Sequence, residues 1–303
     1  MRQPLKRIAR LAFLLVLASA LPAQTLSVKL GKDTYVDWRR RVVRATGRSL
    51  SADGQSADTE RVQVLEKAKE DALKNLLAGL HKLTVDSHSD LSQALQRRNI
   101  PFREIQDLAQ YYTVVDVRSM SDNSVEVDIE LPIEDKLADR LLPRRVGRGT
   151  LHLSDTPLCP VCAQPWPEGR PVPEDIHLIV PSEGFTTSRG EPYSSVIIDA
   201  RGLKLAPGLF PRVVDEAGKE IYGVEYVDRA VAEKLGLVAY HSNLAAAFKD
   251  RRAGSEPLVI RARRVAGPNS CDVVVSNNDA LLIHAAAKVH NFLRTCRVIF
   301  VLG

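Results

Sequence analysis

Hydrophobic and polar residues follow two kinds of spacing in the first part of the chain. Apolar residues recur every three or four positions from residue 65, which predicts a long helix with one apolar face. Shorter helical patterns cover residues 91–98 and 102–111, and alternation over 113–120 and 125–131 predicts a β-hairpin. One further strand is predicted over residues 35–47. The apolar face of the long helix consists of Leu65, Ala68, Ala72, Leu76, Leu80 and Leu83.

A second region of regular patterning begins near residue 193. Helices are predicted at 229–235 and 243–251, and a third opens at 276–279 and runs to residue 292. Strands are predicted at residues 195–198, 211–214, 220–222, 258–265, 272–275 and 297–302.

The residues between the two regions are rich in proline, which is excluded from helix interiors and central strands. Only residues 176–180 resemble a strand there. The sequence therefore predicts an α+β protein of two domains, each an antiparallel or mixed sheet covered by helices. The domains are predicted at 24–145 and 193–303, joined by a linker or small subdomain at 146–192.

Residues 1–23 have the order of a secretory signal peptide: a basic start, a short apolar run and small residues after it. The apolar run is too short to span a bilayer, and no cysteine follows it to carry a lipid. We therefore expect a periplasmic or outer-membrane-associated protein without a membrane span after cleavage. Four of the 42 basic residues lie in this segment, so the remainder is nearly balanced by 37 acidic residues. This balance argues against a nucleic-acid partner.

The first domain resembles the N-terminal region of the lipoprotein-20 family of bacterial surface proteins, and the flagellar ring protein FlgT carries a similar domain. The resemblance rests on Trp38, the stretch Arg44 to Gly47, and the helix with Ala68, Ala72, Asn75, Leu76 and Gly79. It implies an envelope-associated α+β module without known catalytic residues, used in surface or motility assemblies. The second domain resembles uncharacterised secreted proteins through the strings at 197–202 and 275–280.

The pair Cys159 and Cys162 is the sharpest local motif. In an oxidising compartment it favours a structural disulfide, with half a zinc site or a redox pair as alternatives. Cys271 and Cys296 each precede an apolar strand and are either a second disulfide or two buried thiols.

Two polar loops are candidate binding sites. Asp199 and Arg201 follow a predicted strand, where they form either an anion or partner site or a local ion pair. Asn277 lies in the loop 276–279, which is either a ligand loop or a helix start. The cluster Arg39 to Arg41 could contact acidic lipid or glycan, and a solvated strand face is the favoured interpretation.

The sequence contains no nucleophile elbow, phosphate-binding loop or dinucleotide fingerprint. We therefore predict a non-enzymatic interaction or assembly module without a cofactor, catalytic residue or metal site. Its expected partners are envelope proteins, including outer-membrane or flagellar components. The alternative is a periplasmic thiol-redox or zinc-dependent module that uses Cys159 and Cys162.

Overall fold

The structure is a computed structural model that describes residues 26–50, 57–122 and 124–303. The signal peptide predicted at 1–23 lies outside the described residues. Strands and helices of both regions occur in mixed order, so the predicted α+β class is confirmed. Within the described residues, none of the helices combines the length and the apolar character that a membrane span requires.

The first region folds into one antiparallel sheet with helices on one side. The elements are β1 (Ser27–Lys29), β2 (Thr34–Asp37), β3 (Val42–Leu50), α1 (Ala57–Leu80), β4 (Thr84–Asp86), β5 (Ser89–Asp90), α2 (Leu91–Arg98), α3 (Phe102–Ala109), β6 (Thr113–Ser119), β7 (Ser124–Pro132) and α4 (Lys136–Leu141). The sheet has the strand order β1-β2-β3-β7-β6, and β4 and β5 form a separate small hairpin.

The predicted amphipathic helix is α1, which packs across β3 and β7. The core side of α1 is fully buried at Ala68, Ala72 and Leu76. Gly47 of β3 allows the close approach, because a Cβ there would lie 2.0 Å from the backbone nitrogen of Ala72. The prediction of a buried apolar helix face is confirmed.

The single strand predicted over residues 35–47 is wrong. Two antiparallel strands, β2 and β3, are joined there by a turn at residues 38–41. Arg41 ends the turn with a φ of 54°, a left-handed conformation in which the chain reverses direction.

The second region contains two sheets, three α-helices and a short 3₁₀ helix at Val224–Tyr226. Its elements are β8 (Ser195–Asp199), β9 (Val213–Val214), β10 (Glu220–Tyr222), α5 (Arg229–Leu235), β11 (Ala239–His241), α6 (Leu244–Phe248), β12 (Pro257–Arg261), β13 (Arg264–Ala266), β14 (Asp272–Val274), α7 (Asn277–Val289) and β15 (Val298–Val301). The sheet β10-β9-β14-β13 is mixed, whereas β11-β15-β8-β12 is entirely parallel. The predicted strand over 258–265 is divided between β12 and β13, one in each sheet.

The proline-rich segment is ordered but contains little regular structure. The strand predicted at residues 176–180 is wrong: Ile179 forms only an isolated bridge with Leu158. Leu158 is buried with Leu282 of α7, and the backbone N–H of Phe185 donates to the Ala285 carbonyl at 3.1 Å. This segment therefore runs along α7.

The two regions share one hydrophobic core. Trp38 of the first region meets Tyr240 of β11 edge to face, with ring centroids 5.8 Å apart. The N–H groups of Leu209 and Phe210 donate to the carbonyls of Thr84 and Val85, at 3.1 and 2.8 Å. The hairpin β4–β5 is therefore hydrogen-bonded to the second region.

Candidate functional site

The sequence-predicted cysteine pair lies in an exposed turn of the proline-rich segment. The backbone N–H groups of Cys162 and Val161 point at the sulfur of Cys159 and lower the pKa of its thiol. Both cysteines are free thiols in the structure. No group of three or more potential metal ligands occurs within residues 26–50, 57–122 and 124–303. The turn thus brings two sulfurs together, and the choice between disulfide, zinc and redox pair stays a prediction.

Cys271 and Cys296 are buried free thiols with different neighbours. The sulfur of Cys271 lies against Gly208, and burial raises the pKa of this thiol well above its usual value. Cys296 lies near Tyr222, and burial raises its pKa to about 11. Their pairing as a disulfide likewise stays a prediction.

Asp199 and Arg201 form an ion pair at the end of β8. Both oxygens of Asp199 accept from the guanidinium of Arg201, at 2.8 and 2.9 Å, and Arg261 of β12 donates to one of them at 2.8 Å. These hydrogen bonds lower the pKa of Asp199 to about 2, despite its burial. The carboxylate is therefore fully engaged inside the protein.

Asn277 belongs to a helix start. Ser276 caps α7 by accepting from the N–H of Asp279, as the alternative interpretation predicted. The side-chain oxygen of Asn277 accepts from the backbone of Glu216 at 3.2 Å. Among the described residues, no hydrogen bond or ion pair joins Asn277 to Asp199 or Arg201, so the structure does not bring these residues into one site.

Among the residues that the structure describes, nothing covers the outer edge of strand β6. Within the described chain its one strand neighbour is β7, and α1 packs over β3 and β7 without extending across β6. Val114 and Val117 face the same side as the buried Ile129 and Val127 of β7, yet they are 41% and 48% exposed. Val115 occupies a register shift and is also exposed.

The opposite side of this sheet is ionic. Arg118 of β6 donates to Asp128 of β7 at 2.7 Å, and Asp128 also accepts from Arg44 of β3 at 2.7 Å. Burial alone would raise the pKa of Asp128, but the arginine and threonine donors around it outweigh burial and lower the pKa to about 2. Asp116 pairs with Arg118 as well, so β6 presents charges on one side and uncovered valines on the other.

A cavity of about 590 Å³ lies between the turn at 38–41 and the edge of the parallel sheet. It is bordered by two carboxylates, Glu134 and Asp250, and by Trp38 and His241. Five arginines also line it: Arg39, Arg41, Arg251, Arg252 and Arg297. The expectation of a solvated strand face for Arg39 to Arg41 is wrong at Arg41, which is 8% exposed because the turn directs it inward.

Sequence reasoning found the hairpin containing β6 but not the exposure of its valines. The alternation predicts one apolar side, and only the placement of α1 decides whether that side is covered. The cavity was missed because its walls come from residues about 200 positions apart. The sequence signal available for this cavity was the cluster Arg39 to Arg41 directly after Trp38.

The comparisons with known proteins concern the second region. The family model for the second domain of Treponema pallidum Tp0624 matches residues 195–303, about a third of the chain. The second region is therefore similar to that domain. A search of the curated proteins gives no match to the chain. The lipoprotein-20 resemblance of the first region stays a prediction.

Proposed function

We propose that the protein is an exported, non-enzymatic module that binds an extended segment of another envelope protein along β6. The uncovered edge of β6 is the observation that carries this proposal. The signal peptide predicted at 1–23 supports export, and the lipoprotein-20 resemblance of the first region supports a place in an envelope assembly. The protein then acts in the periplasm or at the outer membrane, with outer-membrane or flagellar components as its partners.

The backbone of β6 supports strand addition. In an antiparallel ladder, about half of the N–H and C=O groups of an edge strand point away from its neighbour. Apart from the ladder to β7, the N–H groups of residues 114–119 donate to no other described residue. A partner strand would pair with these groups, and the seven residues of β6 match the length of an ordinary strand.

The side chains of β6 define the chemistry of the partner segment. Val114 and Val117 need apolar residues beside them on the helix side of the sheet. Asp116 and Arg118 already pair with each other on the ionic side, so partner residues there lie against charged groups and should be polar or charged. The partner is therefore an extended segment in which apolar residues alternate with polar or charged ones.

Site-specific photocrosslinking in cells tests this proposal. A photoreactive amino acid replaces Val117 in the full chain, and mass spectrometry identifies the crosslinked peptide. The matched control position is Val259, which is 44% exposed on β12, an edge strand of the parallel sheet. We expect Val117 to crosslink to an alternating segment of an envelope protein, and V114K to abolish that crosslink because it places a charge on the apolar side.

Three results with the unsubstituted β6 neighbours would overturn the proposal, and a fourth concerns V114K. They are equal crosslinking from Val117 and Val259, crosslinking of Val117 only to a second copy of this chain, and no crosslink at all. A crosslink that persists in V114K would also contradict it, since the apolar side would then not matter.

A thiol-redox or zinc-dependent module is the second candidate. It is favoured by the two N–H groups that lower the pKa of Cys159. This candidate predicts bound zinc or a reducible pair in the purified protein, with loss of function in C162S. If the protein contains neither, this candidate fails and the β6 proposal is unaffected.

A further inference from the structure

Two buried hydrogen-bond donors border the cavity between the turn at 38–41 and β11. Trp38 is 2% exposed, and its indole N–H has no acceptor among the described residues. The Nε of Arg41 lies 3.1 Å from an oxygen of Glu134 in an ion pair, without the alignment of a hydrogen bond. Buried donors are normally paired, so the unpaired indole N–H and the misaligned Arg41 beside one cavity indicate a missing acceptor. The other buried polar atoms without a partner lie elsewhere, at Arg44, Ser89 and Glu220.

The guanidinium of Arg41 is held in place by the shape of its surroundings. It lies against Gly236, where a Cβ would be 2.1 Å from Nη2, so the two groups are in direct contact. Arg41 has a positive φ at the end of the turn, and its side chain lines the cavity. Glu134 lies 3.1 Å from Nε, but the N–H does not point at its oxygen. The position is fixed without a full set of hydrogen bonds.

The cavity carries excess positive charge. Asp250 already accepts from His241 at 2.7 Å and from the backbone N–H of Arg252 at 2.8 Å. The side chain of Arg252 donates to the carbonyls of Gly236 and Cys296, which carry no net charge. Burial first, and then the nearby Arg252, lower the pKa of Arg41. One carboxylate, Glu134, therefore faces the buried arginine, and an added anion would balance the charge.

We propose that this cavity binds an oxyanion, the carboxylate or phosphate group of a small solute, through Arg41 and the indole N–H of Trp38. The planar guanidinium matches the geometry of both oxyanions. A volume of about 590 Å³ lies within the range of small-molecule sites and leaves room for a solute of several atoms beyond the charged group. This site uses none of the residues on β6, so it goes beyond the proposed function.

Isothermal titration calorimetry of the full mature protein tests the proposal. The probes are citrate and inorganic phosphate at constant ionic strength, with glucose as a neutral solute. We expect saturable binding of one of the two anions, with one site per chain, and no binding of glucose. In W38F, which retains an aromatic ring but lacks the N–H, the Kd should rise about tenfold. In R41Q the rise should be larger.

The matched control is R40Q. Arg40 is adjacent to Arg41, but it is half exposed and its guanidinium is bound to Glu130 on the ionic side of the sheet. Binding should be unchanged in this variant. If R41Q does not fold, G236A is the second variant, because its Cβ would displace the Arg41 guanidinium.

The proposal is overturned if neither anion gives saturable binding to the wild-type protein. It is also overturned if W38F binds with wild-type affinity, or if R40Q weakens binding as much as the cavity variants, since either result would place the anion elsewhere on the surface.

Discussion

Acidification from pH 7.5 to pH 5 should destabilise the protein through one buried histidine. His284 lies on the core side of α7 with no exposed surface. Its Nδ1 accepts from the backbone N–H of His152 at 2.7 Å, so the proton is on Nε2, which donates to the carbonyl of Ile221 at 2.8 Å. Protonation of Nδ1 would replace the first hydrogen bond with two opposed donors.

The magnitude follows from the pKa of His284, which burial lowers from 6.5 to about 4, with smaller contributions from His152 and Lys219. Because the folded protein binds the proton less tightly than the unfolded chain, the stabilisation is complete above pH 6.5 and lost as the pH falls towards 4. The total loss of unfolding free energy across this pH range is about 3 kcal/mol. At pH 5 about 2 kcal/mol of unfolding free energy should already be lost.

Urea unfolding at pH 7.5 and pH 5 measures this loss in the wild type and in H284Q. The glutamine amide can accept from His152 and donate to Ile221, but it does not titrate. We expect H284Q to be less stable at pH 7.5, and to lose about 2 kcal/mol less than the wild type on acidification. The control is H290Q, at the exposed end of the same helix. If wild type and H284Q lose the same free energy, the assignment to His284 is refuted.

Three further outcomes are expected. G47A should lower the unfolding free energy, measured with urea, by about 3 kcal/mol or more because the new Cβ meets the main chain of α1. The control is G31A, where the nearest contact of a Cβ is at 3.6 Å and the loss of unfolding free energy should be small. Cys159 should react with iodoacetamide faster than Cys271 in the folded protein, as peptide mapping would show, because its thiol has the lower pKa and is not buried. D199N should lower the unfolding free energy by about 2 kcal/mol at pH 7, a difference that disappears as the pH approaches 2.

Elements with repeated local patterns could be predicted from the sequence. The spacing of Ala68, Ala72 and Leu76 predicts α1 because only one helix face is needed to cover a sheet. The alternation around Val117 predicts the hairpin of β6 and β7 for the corresponding reason. Neither pattern predicts where α1 packs on the sheet. Because α1 lies over β3 and β7, Val117 of β6 stays exposed.

The candidate sites were harder to predict because they depend on distant contacts. The turn at 38–41 contains no glycine or proline, so the alternating residues around it resemble one long strand. Arginine is usually exposed, and nothing in the local sequence indicates that Gly236 makes room for Arg41. By contrast, the capping role of Ser276 and the ion pair of Asp199 with Arg201 are local and agree with the sequence interpretations.

The boundary of the family match does not coincide with a boundary of the hydrophobic core. The match begins at residue 195, but Leu209 and Phe210 are hydrogen-bonded to the β4–β5 hairpin, and Trp38 packs against Tyr240. A fragment of 195–303 would expose these contacts to water. Because each region covers part of the other in the whole protein, the two regions should melt in a single cooperative transition.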